Sequence, residues 1–184
     1  ILAGGKGTRL RPLTYDIPKP MAPVHGKPFL EHQLALLSKQ GFNRFLLCTG
    51  YLSNVIEDYF KEGRKWGWDI NYSIEPESLG TGGGLKWAES KLEDEFLLLN
   101  GDTLLFINYQ ELSRAFSSEK CMGYIVVYSN ELAIVPNNIS LDDESYVINY
   151  SKEYPEDNMY VDAGVQVFRK ELLNMIPGGK VVSL

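Results

Sequence analysis

Arg9 and Lys19 flank a stretch that packs no obvious core: "LAGGKGTRLRPLTYDIPKPMAP" carries Gly4, Gly5 and Gly7 and has no hydrophobic period. Glycine lets backbone N–H groups come close to a phosphate. Arginine presents planar paired donors that suit phosphate oxygens, and lysine a compact positive charge. The segment follows a short apolar start expected to be a strand ending at Leu2. Neither common phosphate loop fits. A G-x-G-x-x-G turn would need glycine at position 10, which is Leu10, and no G-x-x-x-x-G-K-[ST] string occurs. The plain alternative is a solvated surface loop. Its length without periodicity favours function, because long structureless loops in compact domains tend to carry it.

Two acids sit where chemistry could use them. Asp102 ends the run "EFLLLNGD", and ligands of open parallel sheets bind beyond the carboxyl ends of strands. A carboxylate there is a natural magnesium ligand. The same Asn-Gly pair between apolar runs is also the strongest short hairpin signal, so both readings stand on pattern alone. Glu75 opens "EPESLGTGGG", just before Gly80 and Thr81. His25 and His32 are expected to be structural or exposed. Cys48 and Cys121 form neither a disulfide framework nor a metal-ligand spacing, which makes a reducing cytoplasm the default.

Charge narrows the partners. The chain of 184 residues has a net charge of -6. Residues 1–28 hold Lys6, Arg9, Arg11, Lys19 and Lys27 against Asp16, which is +4 there and therefore -10 elsewhere. A nucleic-acid binder needs a broad positive face, so nucleic acid is not an expected partner. Concentrated cations on an acidic protein suit one small anion. No apolar run approaches the ~18 residues of a membrane span, and the basic opening lacks the apolar centre of a signal peptide. The start at Ile1 rather than Met, and the stop after "PGGKVVSL", suggest one domain cut at both ends.

The elements that must hold these residues alternate. "PFLEHQLALLSKQG" has helical spacing with a glycine stop at Gly41. "RFLLCTGY" reads as a buried strand and "NVIEDYFKEG" as a helix capped by Ser53 or Asn54. "DINYSIE" is a strand, "GGGLKWAESKL" a helix and "EFLLLNGD" a buried strand. This alternation predicts an α/β fold, a Rossmann-like, mostly parallel sheet flanked by helices. Beyond residue 120, "CMGYIVVYS", "SYVINYSK" and "VDAGVQVF" read as strands with few helices between them, a mixed-sheet extension. Trp66, Trp68 and Trp87 read as packing residues.

"LAGGKGTRLRPLT" followed by "PKPMAPVHGKP" resembles the signature of the sugar-1-phosphate nucleotidyltransferases. "EPESLGTGGG", "LNGD" and, more weakly, "SKE…VDAGVQVF" follow in the family's order, so the resemblance covers nearly the whole chain. It is nearest in character to mannose and heptose guanylyltransferases. It implies a GT-A-like fold with residues 1–120 as the nucleotide part and 121–184 as the sugar-phosphate part. It implies nucleotide contacts at Leu2, Ala3, Gly4, Gly5, Gly7, Thr8, Glu75, Gly80 and Thr81. Arg9 and Lys19 would hold phosphates and Asp102 a magnesium ion. Lys152 would hold the sugar phosphate, with Asp162 and Gly164 lining the sugar pocket, although Gly164 could equally mark a bulge. The family usually has Glu-Lys where this chain has Ser151-Lys152. Its second metal-binding aspartate, in a later segment, has no counterpart after Asp162.

The implied reaction is attack by a sugar-phosphate oxygen on the α-phosphorus of a nucleoside triphosphate, with loss of pyrophosphate. A phosphate monoester is largely dianionic at neutral pH, with its second pKa near ~6, so no general base is required. The expected enzyme is cytoplasmic, uses magnesium and serves glycan or cell-envelope synthesis; homo-oligomerisation is left open. GTP is favoured over UTP, dTTP and CTP because ionised Glu75 offers only acceptors. Two rivals stand beside it: a non-catalytic family member that binds nucleotide sugar, and a glycosyltransferase of related architecture. The second would usually carry Asp-x-Asp where this chain has Asn100-Gly101-Asp102.

Overall fold

Strands β3 (Arg44–Thr49) and β4 (Asp69–Ile74) pair in parallel, Arg44 opposite Asp69 through to Thr49 opposite Ile74. The structure, a computed structural model, describes residues 1–132, 134–151 and 159–184. The expected strand at Leu2 is a single extended crossing. Leu2 bridges in parallel to Cys48 on one side and Asn100 on the other. Its N–H donates to Leu99 O at 2.9 Å, and Ala3 N–H donates to Cys48 O at 2.7 Å. It therefore joins β3 to β5 (Glu95–Leu99). β5 pairs antiparallel with β9 (Tyr160–Arg169), and β9 pairs with β6 (Gly123–Ser129). β7 (Ile139–Leu141) pairs with β8 (Val147–Tyr150) and touches β9 at Tyr160. The α/β fold with parallel pairing in its first part is as the sequence suggests, but every ladder among β5, β6, β7, β8 and β9 is antiparallel, so the sheet is mixed rather than mostly parallel, and the β5–β9 ladder runs straight across residue 120.

Both faces of the sheet are covered, as continuous apolar strands require. Successive residues point to opposite faces. Leu99 joins a core with Leu30, Leu34, Leu37, Ile56 and Phe60, while Leu98 joins Leu85, Phe168, Leu173 and Ile176 on the other side. Helix α1 (Phe29–Lys39) buries Leu30, Leu34 and Leu37, a four- and seven-residue stripe, and ends at Gly41 with φ +90°. A small hairpin, β1 (Pro23–Val24) with β2 (Lys27–Pro28), leads into it.

Three expectations need correction. Helix α2 (Ser53–Phe60) is not capped by Ser53 or Asn54; its cap position is Leu52, left-handed at φ 51°, with no side-chain cap bond. The reason lies upstream, where Tyr51 is pinned to the opening loop through its N–H to Gly4 O and its hydroxyl to Thr14 O and Tyr15 O. Second, helix α4 (Tyr109–Ser118) was not expected; Asn108 caps it by accepting from Glu111 N–H at 3.0 Å. Third, not all three tryptophans pack into the core. Trp66 and Trp68 stack at 5.0 Å beside Phe60, whereas Trp87 lies apart, half exposed, on helix α3 (Gly80–Trp87) and donates to Ile74 O.

Candidate active site

Three strand ends meet at one cavity of about 380 Å³. The opening loop after Leu2, the Glu75–Thr81 loop after β4 and the turn after β5 all border it. Leu2, Ala3, Gly4, Gly5, Gly7, Thr8, Arg9, Lys19, Glu75, Gly80, Thr81 and Asp102 lie around it together. Leu10, Pro20, Ser78, Asn100 and Gly101 also border it. Sequence reasoning passed over these five, although each sits inside a motif already singled out.

The opening loop is anchored rather than freely solvated. Thr14, Pro18, Pro20 and Met21 are buried. Gly7 is left-handed at φ +59°, and a Cβ there would meet Lys19 Cβ at 2.9 Å and Thr14 Cγ2 at 3.1 Å. Thr14 Oγ1 donates to Gly7 O at 2.9 Å. The loop thus folds back on itself and carries Lys19 over the strand ends. Arg9 is exposed at the rim and makes no ion pair among the described residues.

Asp102 does not sit in a hairpin. At its carboxyl end β5 has Leu2 on one edge and β9 on the other, so no edge remains for a returning strand. The chain instead makes a tight turn in which Thr103 N–H donates to Asn100 O at 3.1 Å. Gly101 N–H donates to Leu2 O at 2.9 Å. A Cβ at Gly101 would meet that oxygen at 2.8 Å and Pro20 Cγ at 3.1 Å, so the strand and the Lys19 segment both press on this glycine. Asp102 Oδ2 pairs with Lys19 Nζ.

Glu75 is wedged in the wall between Gly4 and Gly84. A Cβ at Gly84 would lie 2.5 Å from its Oε1, and one at Gly4 3.0 Å from the same atom. Its Oε2 accepts from Leu79 N–H at 3.0 Å. Burial raises its pKa above the ordinary 4.5, and the Leu79 hydrogen bond only partly offsets this. The rest of the glycine run meets the C-terminal segment: Gly82 and Gly83 donate to Val182 O at 2.9 and 3.2 Å.

Asp162 and Gly164 do not border the cavity; they build its support. Asp162 accepts from Gly164 N–H at 2.7 Å, from Gln166 Nε2 at 2.9 Å and from the Tyr150 hydroxyl at 2.9 Å. Burial first, then the Asp162 charge, pushes the Tyr150 hydroxyl above its ordinary range, so it remains a donor. The β6–β9 register shifts here, so Gly164 does mark a bulge. It sits at φ +73°, and a Cβ would meet Thr103 Oγ1 at 2.6 Å and Asn100 Nδ2 at 2.8 Å. Lys152 lies outside the described residues. His32 bonds Val24 O, His25 is exposed, and neither borders the cavity.

The sequence profile described as Nucleotidyl transferase matches residues 1–181. The chain belongs to the nucleotidyl transferase family. It is similar to the D-glycero-alpha-D-manno-heptose 1-phosphate guanylyltransferase of Campylobacter jejuni, 36% identical over 174 residues that cover 95% of this chain and 76% of that protein. It is also similar to the mannose-1-phosphate guanylyltransferase of Mycobacterium tuberculosis, 34% identical over 188 residues, covering 100% of this chain but only 52% of the relative. The crystal structure of HddC from Yersinia pseudotuberculosis complexed with GMP-PN superposes with a TM-score of 0.81 at 29% identity, covering 99% of this chain and 80% of that one. The α/β fold is that of other nucleotidyl transferases. No helix among the described residues is long and apolar enough to cross a membrane.

Proposed function

We propose that the protein transfers a guanylyl group from GTP to a mannose-type or manno-heptose-type sugar 1-phosphate and releases pyrophosphate. The observation that carries this is the meeting of Arg9, Lys19, Asp102 and Glu75 around one cavity floored by the glycine loop. The similarity to heptose and mannose guanylyltransferases supports the same reading.

A sugar-phosphate oxygen forms a bond to the α-phosphorus as the bond from that phosphorus to the bridging oxygen breaks, and pyrophosphate leaves with the electron pair. The nucleophile is already an anion, so no base is needed. What the reaction demands is neutralisation of two polyanions and their alignment. Arg9 and Lys19 supply cationic donors, and the Gly4–Gly7 backbone lets the triphosphate come close.

A magnesium site fits the donor set in one way. No cluster of three potential ligands exists among the described residues. Asp102, accessible at the cavity, suits an ion held by one carboxylate and completed by substrate phosphates. Bound there, magnesium would offset charge on the phosphates, and Lys19 would turn from Asp102 to the substrate.

Glu75 favours guanine. An ionised carboxylate only accepts, and guanine places two adjacent donors, N1–H and N2–H, on its pairing edge. Asp162 and Gly164 act by setting Asn100 and Thr103 beside the sugar phosphate, which Lys152 would contact. Release of pyrophosphate should be measured for GTP, UTP, dTTP, CTP and ATP against mannose, manno-heptose and glucose 1-phosphates. Fastest turnover with GTP and a manno-configured acceptor is expected. Equal use of UTP or dTTP would overturn the base, and no release with any pair would overturn the reaction.

A further inference from the structure

Helix α1 carries a polar residue at a position its own pattern reserves for the core. Leu30, Gln33, Leu34 and Leu37 follow the spacing of one buried face, and Gln33 is 1% exposed. Its Nε2 donates to Asn100 O at 2.9 Å and to Thr103 O at 2.6 Å. These carbonyls belong to the first and last residues of the turn that carries Asp102. One amide group therefore closes that turn from beneath.

The other half of the amide gives up a hydrogen bond to make this closure. Gln33 Oε1 is buried with no hydrogen-bond partner among the described residues. An unpaired buried acceptor weakens a fold. Rotating the amide would bring Oε1 against two carbonyl oxygens, so only one orientation serves the turn. Seven residues on, Gln40 gives a natural comparison. Its Nε2 donates to Ile107 O at 2.9 Å and its Oε1 accepts from Tyr109 N–H at 2.8 Å. Helix α1 and its C-terminal cap residue Gln40 thus suspend both ends of the segment from Asn100 to Tyr109, one end beside Asp102 and one remote from it.

The geometry points to Gln33 as a positioning residue that sets Asp102 for metal and phosphate, an assignment that rests on the function proposed above. A carboxylate aimed at a metal is commonly held by such outer contacts.

The test compares Gln33→Met with Gln40→Met in the intact protein. Both remove amide bonds from one helix and are expected to lower the melting temperature. Without any ligand, only Gln33→Met should speed hydrogen exchange at the Gly101 and Thr103 amides. In turnover with GTP and mannose 1-phosphate, only Gln33→Met should lower kcat and raise the half-saturating magnesium concentration, by about 10-fold or more each, with KM for the sugar phosphate little changed. Unchanged exchange at both amides in Gln33→Met, or matching kinetics in the two variants, would overturn the assignment. Absence of turnover in the wild type would defeat the proposed reaction instead, and the exchange measurement would still decide whether Gln33 holds the turn.

Discussion

Lys19 and Asp102, 83 residues apart in sequence, form an ion pair at the mouth of the cavity, with side chains 30% and 39% exposed. Pairs this accessible contribute about 0–1 kcal/mol to stability, because water screens them and two long side chains lose freedom. Bringing the two groups together therefore does little for the fold. It places a cation and an anion where each can exchange its partner for a phosphate or a metal at little cost.

Asp102→Asn should separate these roles. The amide keeps the shape of the turn and loses the anionic ligand. Melting should change by no more than the small value of an exposed pair, while turnover collapses and recovers in part at high magnesium or manganese. Magnesium titration of wild type and variant checks this. An unaltered magnesium profile would remove Asp102 from the metal.

Arg9→Ala should lower turnover by roughly 10²–10³, the scale for losing one preorganised charge-stabilising group. The fold should be indifferent, because Arg9 is exposed and makes no ion pair among the described residues. Kinetics beside thermal melting decide it. A variant that melts early yet keeps full activity per folded molecule would contradict the role.

Much of this site was legible in sequence because its chemistry uses residues of restricted meaning. Glycines and cations in an aperiodic stretch, and an acid at a strand end, name their own possibilities. β3, β4 and β5 were legible as short apolar runs bounded by turns, and α1 by its stripe. What misled was Leu104 to Ile107, an apolar run after Asn-Gly that looks like the return strand of a hairpin. Pairing is a tertiary property: β5 had no free edge, so the run became a connection hung from α1. The same run concealed α4, whose capping signal, Asn108 with Glu111 three residues on, was present in the chain. Gln33 could have been found as the one polar residue on an otherwise apolar stripe.

Adjacent glycines of α3 should respond differently to the same substitution. Gly→Ala inside a helix ordinarily stabilises by about 1 kcal/mol. At Gly83 a Cβ would lie 2.5 Å from Lys180 O and 2.9 Å from Leu79 Cβ, and backbone cannot step aside easily. Gly83→Ala should therefore lose about 1–3 kcal/mol, as overpacking does. At Gly84 the nearest atom is Glu75 Oε1, the far end of a side chain. Gly84→Ala should keep stability near wild type while displacing Glu75 and weakening the preference for GTP. Chemical denaturation and a triphosphate panel read both outcomes. A Gly84→Ala protein with unchanged base preference would free Glu75 from that role.

Glu75 itself ties specificity to stability. Burial raises its folded pKa above 4.5, so the folded state holds this proton more tightly than the unfolded chain. Below about pH 4.5 the carboxyl is neutral in both states and carries no penalty. As pH rises from there through the raised folded value the buried charge weakens the fold, and the penalty is complete above that value. Glu75→Gln removes the charge and can still accept from Leu79 N–H, so the variant should be more stable than wild type at pH 7–8. That advantage should shrink as pH falls toward about 4.5. A carboxylate kept at this position against the fold's interest needs a use, and guanine's two donors provide one. Glutamine presents a donor beside its acceptor, which suits uracil or thymine better and leaves a guanine donor opposed by an N–H. The selectivity for GTP over UTP and dTTP should fall in Glu75→Gln, and in the wild type it should fall on the acid side as the carboxyl protonates. Melting from pH 4 to 8 and kcat/KM for each triphosphate over the same range are the measurements. A variant less stable at pH 8, with wild-type selectivity, would show that Glu75 only braces the loop.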